Sequence, residues 1–169
     1  YRPSKEELET ENIDAVAIGA ATNLDRHIRN MAGFGVPVIV SINKFASDTD
    51  GEIKALSDAA HASGAKAVTI TEVHAKGGEG GEDLAKAVVK AVQDHVAAGR
   101  PFTPLFVDDA PVMEKVEAIA TRMYKAKEVH VETSAKKQLD KIISWGYGNL
   151  PVCMAKTQYS FSHDAGKLG

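Results

Sequence analysis

At 169 residues, with 44% hydrophobic and 25% charged residues and a formal net charge of -3, the chain has the make-up of one ordinary globular domain. That balance gives no electrostatic basis for binding nucleic acid or a membrane surface. The single cysteine, Cys153, excludes an internal disulfide framework and fits a reducing, cytoplasmic setting; no run approaches the roughly 18 apolar residues of a membrane span, and no signal-peptide pattern opens the sequence.

Residues 1–35 read as a helical entry. Ser4 with Glu7 three places on is a capping signal for a helix start. "AVAIGAA" follows, which periodicity alone leaves open as a buried strand or a helix of small residues. Leu24, Ile28 and Met31 then fall at helical spacing before Gly33 and Gly35. Residues 36–160 alternate strand and helix. "VPVIVSIN" (36–43) is the clearest strand, β-branched and apolar on both faces. The spacing predicts a helix over 51–64, a second strand in "AKAVTITEV", and a helix over 81–99 with Leu84, Val88, Val92 and Val96 on one face. A short apolar "LFV", a helix beginning near Pro111, a strand in "EVHVE", a helix in "SAKKQLDKIISWG" and a last buried strand in "LPVCMA" complete the pattern. Alternation with short links predicts an α/β fold, three-layered, with a mainly parallel sheet and helices on both faces, as one domain over 1–169.

In such sheets ligands sit beyond the carboxyl ends of the strands. That rule sets three segments on one rim: "NKF", "TEVHAKGGEGG" and "MAKTQYS". The glycine cluster fits no standard nucleotide loop. A Walker loop needs its lysine after the second glycine, whereas Lys76 precedes Gly77, Gly78 and Gly80, and Glu79 and Glu82 would repel a phosphate. The dinucleotide fingerprint fails on spacing, which argues against a small nicotinamide enzyme. What the glycines permit is close approach to bare backbone, with Lys76 free to meet a carboxylate or phosphate from elsewhere; a tight turn with solvated charges is the plainer alternative.

Asn43 and Lys44 end a strand, and Phe45 stands in a polar loop. An aromatic there offers a stacking platform, although spacing alone favours Phe45 folding back as a core contact. Lys156, Thr157, Gln158, Tyr159 and Ser160 are five polar or amphipathic groups in succession, suited to fixing a polar ligand or simply to forming a loop. Cys153 reads as a small core residue. Asp108 and Asp109 read as helix caps ahead of Pro111. His27, His61, His95 and His130 read as surface positions, and no histidine pair has metal spacing.

Taken together, "NLDRHIRNMAGFGVPVIVSINKFASDTDGEI", "TEVHAKGGEGGEDLAKAVV" and "NLPVCMAKTQYSFSHD" closely resemble formate–tetrahydrofolate ligase, over nearly the whole chain and in order. The resemblance implies an enzyme of one-carbon metabolism that joins formate to tetrahydrofolate with ATP and magnesium, through formyl phosphate. It also implies a Rossmann-like fold related to P-loop NTPases, a homotetramer, and a monovalent cation. The family's P-loop, T-P-x-G-E-G-K-T, lies well before this region. The resemblance therefore makes residues 1–169 a C-terminal-side portion, inactive alone, with 161–169 continuing into further sequence. It makes "AVAIGAA" helical. Phe45 resembles the aromatic that stacks on the folate pterin. Its partner tryptophan in "E-V-W-A-K-G-G-E-G-G" is replaced here by His74, which offers less stacking area and a charge that depends on pH. Asn43, Phe45, His74, Lys76, Gly77, Gly78 and Gly80 thus become the folate side, and Lys156–Ser160 the nucleotide or intermediate side. A non-catalytic folate-binding or regulatory module is the alternative.

Overall fold

A computed structural model of the chain describes residue 4, residues 6–155 and residue 161. They fall in two compact units, Tyr1–Thr103 and Pro104–Gly169.

The first unit is α/β. Ser4 and Glu7 form the expected reciprocal cap, each backbone N–H donating to the other's side chain, yet the helix they open is a single 3-10 turn, Glu6–Leu8. "AVAIGAA" is helical, as the resemblance implies: α1 (Ile13–Gly19) runs through a π-helical segment, Ala20–Leu24, into α2 (Asp25–Ala32). The widening has a local cause. Thr22 Oγ1 donates back to the carbonyls of Ile18 and Gly19, which competes with the helical ladder.

β1 (Ile39–Asn43) and β2 (Ala67–Thr71) pair in parallel, with Ile39 opposite Ala67 and Asn43 opposite Thr71. β1 starts later than its apolar run because Pro37 has no N–H to give to a ladder. The crossover helix α3 (Asp50–Ala62) opens on a full capping box between Thr49 and Glu52. Ile28, Ala60 and Ala65 form the buried centre, with Leu24, Val38, Val40 and Val68 packed around it.

After β2 come a one-turn helix α4 (Val73–Lys76), a 3-10 turn over Gly77–Gly81 and the long α5 (Glu82–Ala97). Of the apolar face read for α5, Leu84 is half-buried and the rest stays outside. Val88, Val92 and Val96 are exposed and Ala91 is the buried residue of the helix. The reason is reach: among the described residues two strands lie beneath, and the small side of the helix covers them.

The second unit contains α6 (Val112–Ala118), a π-helical segment Ile119–Met123 and α7 (Thr133–Ser144). Thr121 Oγ1 bonds the carbonyl of Glu117, the same back-bonding seen at Thr22. None of the expected strands at "LFV", "EVHVE" or "LPVCMA" forms among the described residues. At the first and last of these, side chains take carbonyls that a strand neighbour would otherwise use. Arg122 Nη1 donates to Leu105 O at 2.8 Å, and Lys115 Nζ donates to Asp108 O, Asn149 O and Leu150 O. Lys115 is fully buried by this cage, with the Phe106 ring 5.7 Å from its ammonium. Two further expectations give way here. Cys153 is exposed rather than core, since its strand is absent. Pro111, not Asp108 or Asp109, is the N-cap of α6, with no side-chain cap bond. The parallel sheet of the described residues thus has two strands.

Candidate functional site

The site is built at the carboxyl ends of β1 and β2. Their register sets Asn43 beside Thr71, and Lys44 N donates to Thr71 O at 2.9 Å, so the two following loops leave the sheet side by side. Thr71 pins the junction: its buried hydroxyl bonds Ile42 O at 3.2 Å and lies 3.0 Å from Ser41 Oγ.

Phe45 does not fold back into the core. Its ring is 55% exposed, overturning the spacing argument. The cause is a tight turn: Phe45 N donates to Asp48 Oδ2 at 2.8 Å and Asp48 N to Phe45 O at 3.1 Å, which fixes the backbone while the ring stays outside. Asn43, Ser47 and Asp48 line a cleft of about 380 Å³ floored by Ile53 and Leu56. The walls of that cleft include neither Phe45 nor the glycine loop.

On the other side of the rim the glycine loop closes on itself. Glu72 N donates to Gly80 O at 3.1 Å, and a Cβ at Gly80 would stand 2.6 Å from the Glu72 carbonyl atoms. Gly80 is therefore needed by the loop's own closure rather than by an incoming ligand. Gly77 has φ +60° and turns the chain out of α4; around it and Gly78 the space is open. His74, on α4, is exposed.

Lys76 does not wait for a partner from elsewhere. Its ammonium lies 2.5 Å from Glu72 Oε2, one helical turn back. That bond raises the Lys76 pKa and lowers that of Glu72, with Lys44 adding to the lowering and Glu79 to the raising. Lys44 itself reaches Asp50 at 3.9 Å. Spacing showed none of these partners, although Glu72 and Lys76 stand at the legible i, i+4 offset. The first turn of α5 carries Glu82 and Asp83 and no side-chain cap, so the helix start below the loop is already acidic.

The rim can thus present two exposed rings, a polar cleft and a charge-balanced loop to a flat, polar molecule. Lys156–Ser160 lie outside the described residues. Among the described residues no group of three or more His, Cys, Asp or Glu side chains could hold a metal ion, and no helix is long and apolar enough to cross a membrane.

Comparison with known families now decides the lineage. The family model described as formate–tetrahydrofolate ligase matches residues 2–169. The chain belongs to the formate–tetrahydrofolate ligase family. A curated formate–tetrahydrofolate ligase from Maricaulis maris (strain MCS10) is 47% identical over 165 residues, covering 98% of this chain. The chain spans 29% of the length of that relative. Within the ligase family, then, these residues correspond to a part of a longer polypeptide, and the rim at β1 and β2 is a part of that part.

Proposed function

We propose that the chain is a portion of an ATP-dependent ligase that joins formate to tetrahydrofolate, and that its β1–β2 rim supplies the folate side. In the reaction this reading assigns, a formate oxygen attacks the γ-phosphorus of ATP and ADP leaves. A nitrogen of tetrahydrofolate then attacks the formyl carbon and phosphate leaves. ATP and its magnesium belong mostly to the polypeptide outside these residues. Lys156–Ser160 are assigned by motif to the nucleotide or intermediate side. Residues 1–169 count as one α/β portion of a Rossmann-like, P-loop-related, three-layer enzyme that assembles as a homotetramer.

One observation carries the folate assignment: Phe45 is held by a tight turn with its ring 55% exposed, on the rim where the neighbouring strand delivers His74. A large apolar ring fixed outside the core of the first unit offers a face to a planar ligand. His74 adds a second, smaller ring. Asn43, Lys76, Gly77, Gly78 and Gly80 shape the rim around them, Gly80 by closing the loop. The glycine cluster before α5 thus serves a folate loop and no ATP phosphate.

Calorimetric titration of tetrahydrofolate into the 169-residue chain tests the reading, with Phe45→Ala beside it. Saturable binding that the substitution abolishes is expected; binding that survives it unchanged contradicts the assignment. The same preparation is expected to release no ADP in a formate-dependent manner, because the groups that stabilise the transferring phosphoryl lie elsewhere.

A further inference from the structure

Helix α5 turns one apolar face to solvent. Val88, Val92 and Val96 recur every four residues and stand one above another, with Val89 beside them. They are 44%, 54%, 71% and, for Val89, 55% exposed. The helix meets the sheet through a different side, where Ala91 is buried. Its charged side is complete in itself: Lys86 pairs with Glu82 and Lys90 with Asp94, each at 3.1 Å. Among the described residues of the first unit none buries these valines. Contiguous apolar surface of this kind on a well-formed helix marks a contact surface. The sheet below is unfinished in the same sense. Parallel sheets are normally covered on both faces, yet Ile70 of β2 is 46% exposed.

The length of the family's polypeptide says what covers the face. The Maricaulis maris relative has over two thirds of its length outside the stretch matched here. We propose that the valine face of α5 is an intramolecular docking surface, covered in the full-length ligase by an apolar surface from the polypeptide outside residues 1–169. This rests on the reading of the chain as part of a longer ligase. The occupant is apolar at its contact, because the valines of the face carry no charge.

Thiol labelling of the full-length ligase tests this. Val92→Cys and Val96→Cys probe the apolar face, and Lys90→Cys on the charged side is the control, with labelling read peptide by peptide by mass spectrometry. The thiols introduced by Val92→Cys and Val96→Cys are expected to react roughly tenfold or more slower than that of Lys90→Cys in the native enzyme, since a covered site reacts only through local opening. All three react alike in denaturant. Equal native rates overturn the docking surface. Protection that grows with protein concentration, or that is lost when the subunits are dissociated without unfolding, also overturns it, because the cover is then a second copy. Formate-dependent ADP release from the same samples keeps the two readings apart. Equal labelling with activity intact sinks the docking surface alone, and protection without activity sinks the ligase reading alone.

Discussion

At Gly80 the backbone of Glu72 comes so close that a methyl group has no room. Gly80→Ala is expected to cost about 1–3 kcal/mol by forced overpacking, seen as a lower urea midpoint, and to weaken tetrahydrofolate binding because the loop can no longer close. His74 stands where the family pattern has tryptophan, and a larger ring adds stacking area. His74→Trp is therefore expected to tighten tetrahydrofolate binding by roughly fivefold, about 1 kcal/mol, in the same calorimetric titration. Lys115 is the residue that sequence reading misses altogether. In "PVMEKVEAIATRMY" a lysine among charged neighbours reads as solvent-facing, yet its ammonium is fully buried among three backbone carbonyls. Only the fold of residues 108 and 149–150 around it reveals the role. Lys115→Met leaves those acceptors without their shared donor and is expected to destabilise the chain by roughly 2–4 kcal/mol, measured by denaturant unfolding.

The elements join through Glu52, whose carboxylate caps two helices at once. It accepts from Asn12 N, at the start of α1, at 2.9 Å and from Thr49 N, at the start of α3, at 3.2 Å. Those backbone bonds, led by Asn12 and then Thr49, hold its pKa below the ordinary carboxylate value. A carboxylate with a lowered folded pKa contributes stability above its unfolded pKa of about 4.3 and loses it as pH falls through the folded value. Glu52→Gln is thus expected to be less stable than the parent at pH 7 by about 1 kcal/mol, the worth of a helix cap. The gap should begin to narrow under acid once pH falls below the unfolded value of about 4.3; a gap that does not narrow as acid is added would count against the assignment. What was legible at this scale follows the same physics. Helices carry their hydrogen bonds internally, so α2, α3, α5 and α7 could be read within a few residues from spacing and caps. Strands need a neighbour. β1 and β2 found each other, whereas "LFV" and "LPVCMA" look like strands by composition but give carbonyls to Arg122 and Lys115. The valines of α5 were correctly read as apolar and at helical spacing; no single-chain pattern says which side of a helix the rest of an enzyme will cover. The exposure of Phe45 was equally hidden, because it depends on the Asp48 turn and not on the ring's own character.

At the scale of the whole molecule, membership of the ligase family and the position of the rim make one account: two parallel strands deliver Asn43 and Phe45 on one loop and His74 and the glycine turn on the next. The family was legible because its motifs are local strings, whereas the partners of Lys76 and the closure at Gly80 emerge only when strand ends are paired. In the function proposed above, this rim holds the folate and leaves the nucleotide to other parts of the enzyme. Steady-state kinetics of the full-length ligase with Phe45→Ala tests it most directly. The account predicts a KM for tetrahydrofolate raised about tenfold, near 1.4 kcal/mol of lost stacking, with the KM for ATP unchanged. An unchanged KM for tetrahydrofolate, or an equal rise in both constants, would contradict it.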